Sequence, residues 1–246
     1  MHSPNEPAIE AIGLTRRYGE RLAVDNVGFA VARGEIFGFL GPNGAGKSTT
    51  TRMLTGFLTP SGGTVRVTGL DLATDAVSAR QHIGVVPEEA NVYADLTVWQ
   101  NVMLMAELHG VGRRDRNRRG TELLEQFGLA DRRGQKGRDL SKGLRQRLML
   151  CAALVSEPEI LFLDEPTSGL DVSVQARLLD LIRTLVGTLH IACIVVTHDL
   201  GVVRLLTHRL MVMRRGRVVE QGLTDQVLDD PQHPYSQLLV SSILPV

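Results

Sequence analysis

The chain has 246 residues and carries 27 Lys and Arg against 27 Asp and Glu, a net charge of zero. Balanced charge gives no sign of a general electrostatic partner such as nucleic acid or an anionic membrane, and the length suits one large α/β domain or two small lobes with an ample core. The longest apolar runs, such as IACIVV at 191–196, fall far short of the ~20 residues of a spanning helix, and the start, MHSPNEPAIE, lacks the features of a secretory leader. Cys151 and Cys193 sit in apolar runs without CxxC spacing, so they read as small buried hydrophobes in a reducing compartment. A cytoplasmic protein is expected, with any membrane role supplied by a partner.

In chain order, residues 1–7 read as a flexible tail ahead of a domain over 8–246. AIEAIGL (8–14) and RLAVDNVGFAVARG (21–34) suggest an antiparallel, hairpin-rich lobe. EIFGFLG (35–41) is a buried strand that runs into a glycine loop, followed by a helix over about 46–57. TVRVTG (64–69) and HIGVVPE (82–88) are further strands. From about 90 to 156 the pattern becomes helical and polar, predicting an inserted helical lobe. ILFLDE (160–165) and IACIVVTH (191–198) are continuous, β-branched runs suited to parallel strands buried on both faces. Between them Val174, Leu178, Leu181, Leu185 and Leu189 recur at helical spacing, with Ser173 as the candidate N-cap. HRLMVMRRGRVVEQG (208–222) reads as a hairpin turning at Arg215-Gly216, within a C-terminal hairpin and tail over about 208–246. The fold class is α/β, with a mostly parallel core sheet, an antiparallel β lobe and the helical insertion.

The motifs point to phosphate chemistry. Gly41, Pro42, Asn43, Gly44, Ala45, Gly46, Lys47 and Ser48 match GxxxxGK[ST], between a strand and a helix, where backbone N–H groups and the helix N-terminus favour phosphate. Lys47 suits the β- and γ-phosphates, and Ser48 offers a hydroxyl to Mg²⁺. Asp164 ends an apolar strand, where a carboxylate can hold the Mg²⁺ shell, and Glu165 suits a general base for water attacking the γ-phosphate. The bland alternative is a pair of helix-capping carboxylates. His198, at the tip of another buried strand, is placed for a γ-phosphate contact, against the alternative of a structural histidine. The basic run RRDRNRRG (113–120) has no interleaved aromatics and reads as a solvated helix face or loop rather than a nucleic-acid surface.

Taken together these motifs resemble the ATP-binding subunit of ATP-binding cassette (ABC) transporters, a P-loop ATPase family. In that resemblance LSKGL (140–144) stands where the family has its signature loop, Ser168-Gly169-Leu170-Asp171 resembles the D-loop, and Thr197-His198-Asp199 the switch-histidine motif. It implies ATP binding by residues 41–48 and Thr49, with Tyr18 stacking on adenine; an ordinary surface tyrosine is the alternative. It further implies a head-to-tail homodimer or heterodimer in which Ser141, Gly143 and Asp171 meet ATP across the interface. ATP and Mg²⁺ are the implied cofactors. Separate transmembrane permease subunits are the implied partners, at the inner face of the cell membrane.

Two positions depart from the family pattern. Lys142 and Leu144 stand where Gly and Gln are commoner in the signature. Glu88 stands at the Q-loop glutamine position, a further candidate metal ligand that adds negative charge. The part up to about residue 167 resembles drug-exporter ATPases. The part from GLDVSVQARLL to the HPY tail resembles the ATP-binding component of the phosphonate carbon–phosphorus lyase system and peptide-importer ATPases. The expected function is ATP hydrolysis powering a transporter. The alternatives are an accessory ATPase of a phosphonate-degrading complex and a nucleotide-dependent clamp with little hydrolysis.

Overall fold

Ten strands and nine α-helices are found among the described residues, 6–89 and 91–242, of a computed structural model. Most of the expected N-terminal tail, residues 1–5, and the last four residues of the C-terminal tail, 243–246, lie outside them.

Two sheets form the frame. The first is four-stranded with order β2-β1-β4-β5: β1 (Ile9–Tyr18), β2 (Arg21–Val31), β4 (Gly62–Val67) and β5 (Leu70–Asp71). It is antiparallel throughout. The second is six-stranded with order β10-β9-β3-β8-β7-β6. Its members are β3 (Ile36–Leu40), β6 (Ile83–Val86), β7 (Ile160–Asp164), β8 (Ala192–Thr197), β9 (Arg209–Arg214) and β10 (Arg217–Leu223). All its pairs are parallel except β9 with β10, as the unbroken apolar runs predict.

Strand alternation divides the core between the two faces of the six-stranded sheet. Ile160, Phe162, Ala192, Ile194 and Val196 turn towards the antiparallel lobe. Leu161, Leu163, Cys193 and Val195 turn towards the helices. Phe29 of β2 stacks on Phe37 of β3 at 5.3 Å between ring centroids and meets Phe39 edge-on at 5.2 Å. Each such buried ring contributes about 1.5–3 kcal/mol by leaving water, so this cluster binds lobe to core.

The helices are α1 (Lys47–Leu54), α2 (Ala76–Gln81), α3 (Val98–Leu108), α4 (Arg113–Gln126), α5 (Lys142–Leu154), α6 (Val172–Leu189), α7 (Leu200–Leu206), α8 (Thr224–Asp229) and α9 (Pro234–Ser241). Helices α3, α4 and α5 build the helical lobe, and the basic run forms the start of α4. Three of its arginines are matched locally: Arg116 with Glu107, Arg118 with Glu122, and Arg119 with Glu157. One sequence expectation is corrected. The N-cap of α6 is Asp171, whose carboxylate accepts from the Val174 N–H at 3.0 Å, while the Ser173 hydroxyl donates to Asp171 at 2.8 Å. Asp171 caps because it stands at the N-cap position, where the first-turn N–H groups point and negative charge is favoured, whereas Ser173 already lies inside the first turn.

Candidate functional site

Sheet register brings the motif residues to one edge. Leu40 pairs with Thr197, and Asp164 with Val196, so β3, β7 and β8 end level. Gly41, Glu165 and His198 follow those ends directly. In an open parallel sheet the carboxyl ends of the strands are where ligands bind. A cavity of about 340 Å³ lies there, lined by residues 42–49, Arg21, Leu22, Ala23, Glu88, Asp164, Glu165 and Arg215.

The loop from β3 to α1 is shaped for an anion. Gly46 has φ 106° and lies against β2, where an added Cβ would meet the Ala23 carbonyl oxygen at 3.0 Å, so only glycine fits. As the N-cap of α1 it supplies no side-chain acceptor, which leaves the first-turn N–H groups for a ligand. The Thr50 and Thr51 hydroxyls bond back to the Gly46 and Lys47 carbonyls at 2.9 and 3.1 Å, whereas Ser48 and Thr49 line the cavity. Lys47 is buried, and its ammonium donates to the carbonyls of Gly41 and Pro42. Burial lowers its pKa against the opposing pull of Glu165, Asp164 and Glu88.

The carboxylates gather opposite Lys47. Burial raises the Asp164 pKa, the negative charges of Glu165 and Glu88 raise it further, and Lys47 and Arg52 offset this in part. Such crowding is relieved by a cation. Among the described residues, no group of three or more His, Cys, Asp and Glu side chains could hold a metal ion. A few hard oxygens, from Ser48, Asp164 and Glu88, suit Mg²⁺, which keeps waters and takes phosphate oxygens instead of a full protein cage.

Glu165 is held from three directions. Its Oε2 accepts from the Thr197 hydroxyl at 2.8 Å, and its Oε1 accepts from the His198 N–H at 3.0 Å and lies 2.7 Å from His198 Nδ1. Its backbone is left-handed, with φ 46°, at a cost of about 1–2 kcal/mol for a residue with a Cβ. Hydrogen bonds worth about 1 kcal/mol each, more to a charged acceptor, offset that strain. Thr197 entered the sequence reading only as the first residue of the switch-histidine stretch, with no role given to its hydroxyl. Arg21, Leu22, Ala23 and Arg215 carried no motif.

The remaining sequence candidates stand outside the cavity lining. Tyr18 is 47% exposed at the β1–β2 turn, with the Arg16 guanidinium 4.8 Å over its ring. Ser141 is the N-cap of α5 and accepts from the Leu144 N–H at 3.4 Å. An added Cβ on Gly143 would meet Val174 at 2.8 Å, and one on Gly169 would meet the Lys142 ammonium. The LSKGL loop therefore packs against the loop ending in Asp171, and Ser141, Gly143 and Asp171 share one neighbourhood. The Val174 N–H and then the Ser173 hydroxyl hold the Asp171 pKa below its ordinary value.

The family model described as ABC transporter matches residues 24–168, from β2 through β7. The chain belongs to the ABC transporter family. Its relatives within the family are close and collinear. An Escherichia coli (strain K12) ATP-binding protein named for phosphonates utilization, PhnK, is 40% identical over 98% of this chain and 99% of its own length. The daunorubicin resistance ATP-binding protein DrrA3 of Streptomyces coeruleorubidus is 40% identical over 90% of this chain and 70% of its own. Among solved structures, cbiO1 of Clostridium perfringens, part of the ABC transporter complex cbiONQ, superposes with a TM-score of 0.85 at 28% identity, covering 92% of each chain. The mixed resemblance seen in the sequence is thus found among the relatives, and the domain is an ATP-binding, ATP-hydrolysing ABC subunit. No helix among the described residues is long and apolar enough to cross a membrane.

Proposed function

We propose that this ABC subunit binds ATP in the cavity over residues 42–49, hydrolyses it between two head-to-tail copies, and drives separate membrane subunits. The observation that carries the reading is the Glu165 carboxylate, fixed by Thr197 and His198 at the edge of a phosphate-shaped cavity. A carboxylate so held is placed to take a proton from water attacking the γ-phosphate. Lys47 offsets phosphate charge, and Ser48 and Asp164, with Glu88 beside them, would hold Mg²⁺. Once bound, the ion would supply positive charge that offsets the charge of the phosphates. His198, oriented through Nδ1, is left with Nε2 for the γ-phosphate. Tyr18, at the lobe end, offers its exposed ring to adenine.

The clustering of Ser141, Gly143 and Asp171 away from the cavity supports their action in trans. In a two-fold assembly that patch meets the partner's cavity. Ser141 and Gly143 present the N-terminus of α5 to a γ-phosphate there.

An apolar cleft of about 510 Å³ opens between the edge strand β6 and the helical lobe, with Phe57, Val85, Val92, Tyr93, Met105 and Met149 on its walls. We assign it to an apolar helical segment of a membrane subunit, by likeness to cbiO1, described as part of a transporter complex. The protein then sits peripherally on the membrane's inner face. Val85→Arg in this cleft should abolish co-purification with membranes while the isolated protein still hydrolyses ATP; retained membrane association overturns the assignment.

The end-to-end match to PhnK favours a second reading, an accessory ATPase of a phosphonate-degrading complex. Recovery with soluble lyase subunits instead of membranes would decide for it.

A further inference from the structure

Arg215 has no place in any of the motifs above, yet it lines the nucleotide cavity together with Arg21. It sits at the tip of the β9–β10 hairpin with φ 50°, followed by Gly216 with φ 81°. Two successive positive φ values define the tight hairpin turn in which Asn or Gly is favoured at the first position. A residue with a Cβ is strained there.

The turn itself is clamped. The Gly216 N–H donates to the Ala45 carbonyl at 2.8 Å, and the Gly216 carbonyl accepts from the Asp25 N–H at 2.8 Å. A Cβ on Gly216 would lie 2.6 Å from the Ala23 carbonyl oxygen. The hairpin tip is therefore pinned between β2 and the phosphate loop, and Arg215 is carried to the cavity mouth. Its basic neighbours are already engaged: Arg217 pairs with Asp25 at 2.7 Å, and Arg214 lies over the Tyr235 ring at 4.4 Å. The cations acting on Asp164 are Lys47 and Arg52. Arg21 and Arg215 instead come from β2 and the hairpin, on the lobe side of the cavity.

We propose that Arg215, assisted by Arg21, is a nucleotide-binding residue that grips the diphosphate–ribose portion common to ATP and ADP. A guanidinium suits this because it forks onto phosphate oxygens and stays charged. Strain held at a turn that glycine would relieve points to a functional use of the side chain. The proposal rests on the placement of the nucleotide in this cavity.

Arg215→Gly separates binding from structure because the two effects have opposite signs. Glycine relieves the positive φ, so thermal unfolding should occur at the same or a higher temperature. Loss of a charged contact at an exposed mouth should weaken binding of Mg·ADP and of Mg·ATP alike, by about tenfold each in calorimetric titration. Arg215→Asn, which also tolerates the left-handed turn, should behave the same way, and Arg215→Lys should retain part of the affinity. Unchanged ADP affinity in both Arg215→Gly and Arg215→Asn overturns the proposal. So does loss confined to ATP, which would put the arginine on the γ-phosphate. Lys47→Ala is the control for placement: if it binds ADP as the parent does, the nucleotide lies elsewhere and the cavity assignment itself fails.

Discussion

The Glu165 carboxylate and the His198 imidazole are joined at 2.7 Å through Nδ1, and the same carboxylate oxygen accepts the His198 backbone N–H at 3.0 Å. The residues come from the ends of adjacent parallel strands, β7 and β8, and each fixes the other. The carboxylate holds the ring, and the strand end of the histidine holds the carboxylate in its left-handed turn.

Glu165→Gln should retain ATP binding and lower turnover by at least about a hundredfold, since the amide cannot take a proton. With hydrolysis blocked, Mg·ATP should trap a dimer on sizing chromatography. Parental turnover, or a protein that stays monomeric, contradicts the role.

Thr197→Val tests the contact that the sequence did not reveal. The Thr197 hydroxyl donates to Glu165 Oε2 and accepts from the Asp199 N–H at 3.1 Å. Its loss should cost about 1–2 kcal/mol of stability. The freed carboxylate should slow hydrolysis by about tenfold, with ATP affinity unchanged by calorimetry. Equal losses in binding and turnover would point to a general disturbance of the site.

Ser141→Arg should leave ATP binding by the monomer intact while abolishing dimerisation and hydrolysis. Mixed with Lys47→Ala, it forms heterodimers with one doubly damaged and one intact site, and partial activity should return. Lost ATP affinity in a folded, monomeric Ser141→Arg would place Ser141 on the chain's own nucleotide and sink the trans arrangement.

The pH dependence of stability should carry a signature from Glu159. Burial raises its pKa, but Arg33 and His82, bonded to its two oxygens, outweigh this and hold it below its ordinary 4.5. A carboxylate whose pKa is lower folded than unfolded stabilises the protein fully above the unfolded value and loses that contribution as pH falls through the folded one. The difference in unfolding temperature between the parent and Glu159→Gln should therefore be constant near neutrality and shrink below about pH 5. A difference that grows on acidification would refute the assigned sign.

Several elements were legible because their physics is local. The phosphate loop is a contiguous string, since converging N–H groups must come from neighbouring residues; GPNGAGKS therefore declares itself without a fold. The β7 and β8 strands announced themselves as unbroken apolar runs, and the turn at Arg215-Gly216 by its glycine. Helix α1 ends at Leu54, short of the expected 57, because Gly56 takes φ 73° and stops it.

The nucleotide chemistry, the α/β class and the family resemblance were readable from the chain alone, because all of them reside in short motifs and periodicities. Tertiary structure alone decided which separate residues share a site. The Glu165 to Thr197 bond spans 32 positions and exists only because β7 and β8 pair in one register. Arg21 and Arg215 reach one cavity only because a hairpin tip is bonded to the phosphate loop. Gly143 meets Val174 because two helices start side by side. A slip of one residue between β7 and β8 would turn every side chain of the slipped strand to the opposite face. Such contacts depend on register and packing summed over the whole core, and no local window of sequence contains that information.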